Sequence, residues 1–420
     1  MYSIREMNEL RTRNHWRIRE LKRISYIIGI NLNAQTKCNR WWKIINILFI
    51  IASCIALYPH WLMIQQAQGD IPLIAETSTT ALQTTTGLIK MAYMLFTQQR
   101  FHKLLRKAET HELLQGIEIF QTGMPIKSTL KKEINAIMEI SWKQARGQLL
   151  FTLATCICIM SNYFFYAFFK NLYNHLQGTP NYVYILPFTG YPMFLHKGMA
   201  SPYYAMDMFF GACSLLVAGM SKSYPSAISF QCSFLVLCKH SCGLVQVLCL
   251  LLEKCTSTLV PKPQRVEYLR YCIVQHQRTL EFIDQVNQLF RHICLSQFLH
   301  SLAIYGFVLF EMNFGLESNK ITFIRMLMYL CAATTGDCMH YVNGQFLANE
   351  LEKIPLACYN CEWYHETDAF KKTLRMIIMR SNKKFCFQIS WFTVMSLATL
   401  MGIFKASGSY FVLLRDIDET

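Results

Sequence analysis

Charge is scarce in this chain, and acidic charge is scarcest. Asp and Glu number 26 against 41 Lys and Arg, and together they make up only 16% of 420 residues. Ordinary soluble domains carry about a quarter, so a water-facing surface over the whole length is excluded. No secretory signal is visible, and a cleaved leader is not expected. Residues 1–41 are polar and basic, so the first apolar run is expected to stay as an anchor. There is no N-x-S/T sequon, no Gly-rich phosphate loop, no H-E-x-x-H pair and no G-x-S-x-G elbow. An enzyme has no residues to stand on here, and no cofactor is expected.

What is present is apolar. Hydrophobic residues make up 53% and aromatic residues 14%, and seven apolar runs can be drawn, at roughly 42–64, 73–97, 147–169, 203–237, 294–314, 321–347 and 388–414. Lys and Arg alternate between the connections. Segments 1–41, 98–146, 238–293 and 348–387 hold nine, nine, seven and seven, whereas 65–72, 170–202 and 315–320 hold none, two and one. The positive-inside rule then predicts a cytoplasmic N-terminus and an extracellular C-terminus. The net charge of +15 is spread over alternate loops rather than gathered in one patch, which argues against a nucleic-acid partner.

The expected fold is therefore an all-α membrane protein of seven transmembrane helices with helical extensions below the membrane. A cytoplasmic segment 1–41 precedes helices one to four over 42–237. Residues 238–293 form cytoplasmic extensions of helices four and five, and 294–347 hold helices five and six. Residues 348–387 form a cytoplasmic helical segment, and 388–420 hold the last helix and an outer tail. Tyr203 to Lys254 is too long for one crossing, at roughly 75 Å as a helix. A span kinked near Pro225 and continuing below the membrane fits it best. Glu267 to Phe290 is expected to return as an amphipathic helix into the fifth span. Lys90, in the second span, is expected to snorkel to the cytoplasmic interface.

None of the 17 cysteines falls in 65–72, 170–202 or 315–320, so no disulfide framework is visible outside. Cys358-x-x-Cys361 followed by His365 is half a zinc site without its other half, and no metal is expected. The last stretch is more informative. A basic helix carrying Lys371, Lys372, Arg375, Arg380, Lys383 and Lys384 leads into the apolar segment Ile389 to Leu414, whose one charge is Lys405. Within it Thr399, Gly402, Ala406, Ser409, Leu413 and Asp416 recur at steps of three and four and share one face. Leu413 and Ile417 close that face one turn apart, opposite bulky Leu400, Phe404, Phe411 and Leu414. A small, polar face packs closely on another helix or walls an ion pathway with a hydrophobic constriction. Spacing leaves both open.

Residues 338–363 read C-M-H-Y-V-N-G-Q-F-L-A-N-E-L-E-K-I-P-L-A-C-Y-N-C-E-W. This resembles the sixth-helix signature of insect odorant receptors, an aromatic, Gly and Leu leading to A-x-Y-x-x-x-W, with Ala357, Tyr359 and Trp363 in the last three places. The closing F-K-A-S-G-S-Y-F-V-L-L is similar to that family's final-helix pattern at Lys405, Ser409, Tyr410, Phe411 and Leu414. Gly408 stands where the family usually has an aromatic. The gustatory relatives' Gln-Phe ending is absent, as is the long second cytoplasmic loop of the shared co-receptor.

The resemblance implies a ligand-specific subunit of a tetrameric, odorant-gated, non-selective cation channel, built with the odorant-receptor co-receptor in the plasma membrane of a sensory dendrite. It implies that the last helix lines the pore, through Thr399, Gly402, Ala406, Ser409, Leu413, Asp416 and Ile417, with Leu413 and Ile417 at the gate. Asp416, Asp418 and Glu419 either draw cations to the outer mouth or form a solvated tail. A volatile apolar ligand is expected in an outer-half pocket of spans two, three, four and six. The candidate lining is Thr80, Thr84, Met160, Tyr163, Phe164, Met208, Ala212, Met326, Tyr329 and Ala333, residues that equally suit plain packing. Asp207 is a candidate interfacial acid. A transporter would need inverted repeats, which are not seen, and a metabotropic seven-helix receptor would need the opposite charge topology.

Overall fold

The computed structural model describes residues 39–67, 70–110, 127–178, 226–258, 260–318 and 320–418. They form nine α-helices: α1 (Asn39–Gln66), α2 (Ile71–Thr110), α3 (Lys127–Leu176), α4 (Ser226–Glu253), α5 (Arg265–Ser318), α6 (Lys320–Leu351), α7 (Ile354–Tyr359), α8 (Asp368–Ser381) and α9 (Leu397–Asp418). Among the described residues the only β-type pairing is one isolated bridge, between Gln388 and Val394. The expected kink near Pro225 and Asp207 lie outside the described residues.

Local chemistry sets the helix starts. Asp70 accepts from Leu73 N at 3.0 Å and caps α2, and Pro72 sits in the first turn, where a missing N–H is harmless. The run of threonines that follows is unusual for an apolar helix. Thr77, Thr84, Thr85 and Thr86 each donate to the carbonyl four residues back, at 2.8–3.0 Å, so those donors are satisfied within the helix itself.

Two helices carry the architecture. α5 is continuous over 54 residues, roughly 80 Å at 1.5 Å per residue, so the amphipathic return and the fifth span are one rod. α4 is continuous as well, and from Cys232 to Leu252 most of its side chains are buried, Phe234, Leu237, Val245 and Leu252 completely. By length and composition Gln231–Glu253 and Lys262–Leu316 are apolar enough to cross a bilayer. The lower part of α4 uses that apolarity to fill a core between α2, α3, α5, α6 and α7. Elsewhere the apolar surface faces outward. Ile47, Ile51 and Ile55 on α1, Phe165 and Phe169 on α3, and Ile321 and Ile324 on α6 are all exposed, the pattern of helices solvated by lipid.

The lower ends are tied together by polar contacts. Arg265, at the start of α5, pairs with Glu366 beyond α7, and Glu362 N donates to Thr256 Oγ1 at 3.0 Å. Thr367 caps α8 by accepting from Phe370 N at 3.4 Å.

The last apolar segment departs from expectation. Residues 388–414 read as one crossing, yet the helix begins only at Leu397. Its approach is a compact turn: Met395 N donates to Phe387 O at 2.7 Å, and Gln388 N donates to Asn287 Oδ1 on α5 at 3.1 Å. Ser396 then caps α9 by accepting from Thr399 N at 3.2 Å. Hydropathy does not register a cap, so the apolar run overstates the helix.

Candidate functional site

Between α2, α5 and α6 lies a ladder of polar groups inside the bundle. At its outer end Arg325 on α6 donates to Glu76 on α2 at 2.9 Å and lies 5.6 Å from the ring centroid of Tyr166 on α3. One turn inward, Thr79 donates to Glu311 Oε1 on α5 at 2.7 Å. Next, Gln83 Oε1 accepts from Tyr329 on α6 at 3.1 Å and stands 3.0 Å from His300 Nε2 on α5.

The innermost rung is the densest. Lys90 Nζ donates to Gln297 Oε1 at 2.7 Å, and Gln297 Nε2 donates to Asp337 Oδ1 at 3.1 Å. Tyr305 Oη donates to Asp337 Oδ2 at 2.6 Å. Lys90, Tyr305 and Asp337 are buried. Charges taken from water at such depth persist only when paired and hydrogen-bonded, and three helices supply those partners. Lys90 therefore does not snorkel to the interface. Gln297 gives the ammonium inside the bundle an acceptor that water would otherwise supply at the interface.

This rung touches α9. The Tyr305 ring lies 5.5 Å from Phe404, centroid to centroid, and Ser407 Oγ donates to Leu302 O on α5 at 3.4 Å. The two helices approach closely at Gly306, where a Cβ would stand 3.2 Å from Tyr410 Cβ. A second close approach occurs at Gly344 on α6, where a Cβ would meet Met395 Cγ and Sδ at 2.7 Å. The Gly of the sixth-helix signature thus makes room for the turn that leads into α9.

α9 is packed by one face. Leu400, Ile403 and Ser407 are buried, and Phe404 packs against the core. The slim face is turned away from the subunit: Gly402 and Ser409 are exposed, Thr399 and Ala406 half-buried, and Leu413 is 57% exposed. Thr399 spends its hydroxyl on the helix start, donating to Val394 O at 2.7 Å, and Ser409 Oγ donates to Lys405 O at 3.3 Å. Asp416 and Ile417 fall on the last turn of α9.

Of the expected pocket residues, those whose side chains the structure describes lie on α2 and α6. Thr80 is half-buried and Thr84 fully buried on α2; Met326 is buried, and Tyr329 and Ala333 are half-buried on α6. The Tyr329–Gln83 hydrogen bond brings the α6 residues to the turn of α2 that follows Thr80. Met160, Tyr163 and Phe164 lie on α3, with side chains outside the described set. Met208 and Ala212 lie outside the described residues. Cys358 and Cys361 are core thiols, Cys361 Sγ donating to Cys358 O at 3.1 Å, and His365 is exposed against Tyr364.

Gln83, Gln297, Tyr305, Asp337 and Glu311 had not been singled out from sequence. The signal was available for the acids, because an ionisable residue inside a span needs a partner.

Residues 70–408 match the family model for the 7tm odorant receptor. The chain is 42% identical to Odorant receptor 63a of Drosophila melanogaster over the full length of both, and 25% identical to Odorant receptor 67b of the same fly over 94% of each. Its fold is similar to two structures of the insect olfactory receptor OR5 from Machilis hrabei. The complex with eugenol gives a TM-score of 0.71 at 11% identity, covering 95% of this chain and 97% of that one. The other gives 0.66 at 13%, covering 97% and 99%.

Proposed function

The chain belongs to the 7tm odorant receptor family of insects, a family of membrane receptors rather than enzymes, and we propose that it is the odorant-binding subunit of a ligand-gated cation channel. In this reading it assembles with the shared co-receptor in the plasma membrane of a sensory dendrite. The N-terminus is cytoplasmic and the C-terminus extracellular. The lower parts of α4 and α5, with α7 and α8, form the cytoplasmic anchor at 238–293 and 348–387.

The observation that carries the channel reading is the asymmetry of α9. Its bulky face is consumed by α5, while Gly402, Ser409 and Leu413 are left uncovered by their own subunit. A partly polar face at membrane depth is costly against lipid, and a shared conduit supplies water and neighbouring subunits. Leu413 and Ile417 act as the constriction, closing by dewetting and opening by moving off the axis.

A volatile apolar molecule enters the outer half of spans two, three, four and six, near Thr80, Met326, Tyr329 and Ala333. Binding opens the channel only in so far as the open arrangement is bound more tightly. The ladder is the physical link, because Gln83 and Tyr329 border the pocket while Tyr305 meets Phe404 of α9. Whole-cell recording from cells expressing this chain with the co-receptor tests the reading. Odorant-evoked cation current that persists with G-protein signalling blocked is expected; current that requires G-protein signalling contradicts it.

A further inference from the structure

The apolar part of α9 runs from Leu397 to Leu413 and carries a single charge, Lys405, eight residues from either end. At 1.5 Å per residue the ammonium is rooted about 12 Å from each boundary of that stretch. Its side chain is exposed. It stands clear of the buried face made by Leu400, Ile403 and Ser407, which packs on α5. Among the described residues no carboxylate pairs with it.

A lysine at that depth can meet lipid, a carboxylate or water. Lipid is costly for a charge in mid-span, and the four-carbon stem covers only roughly half the distance to either interface. No carboxylate of the described chain reaches it. Water remains, and the neighbouring residues place it on the uncovered side of the helix. Ser409 lies one turn further out and donates to Lys405 O at 3.3 Å. Three residues to either side stand Gly402 and Gly408, and a Cβ added at either would meet nothing within 4 Å. The space around Lys405 is therefore open from its own subunit's side.

Resting on the channel reading above, we infer that Lys405 borders the ion path and sets its discrimination between monovalent and divalent cations. A fixed positive charge raises the energy of a passing cation in proportion to its valence. Two unit charges roughly 7 Å apart in water interact by about RT, so the second charge of a divalent ion makes it about two- to threefold less permeant than a neutral wall would. The small residues beside Lys405 leave room for a hydrated ion to pass at such a distance. Each copy of this chain in the channel contributes one such ammonium, so the discrimination is a property of this subunit.

Odorant-evoked whole-cell current is recorded from cells expressing the chain with the co-receptor, and reversal potentials in external sodium and in external calcium give the calcium-to-sodium permeability ratio. Lys405→Gln is expected to raise that ratio about two- to threefold, Lys405→Glu to raise it further, and Lys405→Arg to keep the original value. Lys405→Cys repeats the comparison within one folded channel. A positively charged thiosulfonate reagent is expected to bring its raised ratio back down, and a neutral reagent of similar size to leave it raised. An unchanged ratio in the Gln, Glu and Cys variants, or equal effects of the two reagents, overturns the inference. Odorant current in the unmodified chain that requires G-protein signalling defeats the channel reading itself, whereas channel current indifferent to the charge at position 405 defeats this inference alone.

Discussion

Lys90 on α2 and Asp337 on α6 are joined through the side-chain amide of Gln297, whose carbonyl accepts from the ammonium at 2.7 Å and whose NH2 donates to the carboxylate at 3.1 Å. The amide is polarised in the one sense that satisfies both charges. Its dipole lies along the line from cation to anion, in a region where the effective dielectric is low and such alignment counts. The same carboxylate holds Tyr305 at 2.6 Å, so one rung fixes α2, α5 and α6 and sets the ring against which Phe404 of α9 rests.

Gln297→Leu removes both halves of the bridge while keeping much of the volume. The expected result is a loss of about 1–3 kcal/mol, the cost of leaving buried polar groups unsatisfied, read as a lower melting temperature in detergent and reduced surface biotinylation. Gln297→Glu keeps an acceptor for Lys90 but sets a carboxylate against Asp337, and is expected to be no better than Leu. Wild-type stability in both variants would mean that the rung is not a structural link.

Gly344 and Gly306 test the two close approaches to α9. Gly344→Ala places a methyl 2.7 Å from Met395 Cγ and Sδ, and overpacking of this kind costs about 1–3 kcal/mol. Because the neighbour is a flexible side chain, Met395→Ala in the same chain is expected to restore much of the loss. Gly306→Val drives a branched side chain toward Tyr410 and Ser407 and is expected to shift α9, giving altered basal current at normal surface expression. Thermal melts of the first pair and whole-cell recording of the second provide the readouts.

The Arg265–Glu366 pair joins the start of α5 to the residues beyond α7, with side chains only 12% and 7% exposed. Removing one member leaves a charge with little water, so Glu366→Ala is expected to cost about 3–5 kcal/mol. Arg265 also donates to Val260 O at 3.0 Å, which ties the turn before α5 to the same point. Replacing both residues by Met is expected to cost less than the single change. A melt in which the double variant is the worse of the two would refute that account of the pair.

Much of the architecture could be read from the sequence, and the reasons are local. The apolar runs, their alternation with basic segments and the continuity of α5 follow from composition and periodicity along the chain. So does the small-residue face of α9, since steps of three and four are a property of one helix. The ladder was hidden for the opposite reason. Lys90 and Gln297 are 207 residues apart, and nothing in one stretch announces the other. Lys90 read alone suggests snorkelling, and only the α5 amide makes it an interior cation. The late start of α9 was hidden because the Ser396 cap and the Phe387–Met395 turn sit inside an uninterrupted apolar run. Gly344 was legible as a motif residue, but its purpose required Met395 to be placed beside it.

The central claim is that the uncovered face of α9 borders the path of the ions. Single cysteines at Ser409 and Leu413, with Met401 as an exposed control outside that face, are introduced into the chain and co-expressed with the co-receptor. A positively charged, water-soluble thiol reagent is applied from outside during odorant stimulation. The account predicts progressive, irreversible loss of cation current at Ser409 and Leu413, faster when the channel is open, with Met401 spared. Unchanged current at both positions, or equal loss at Met401, would contradict it.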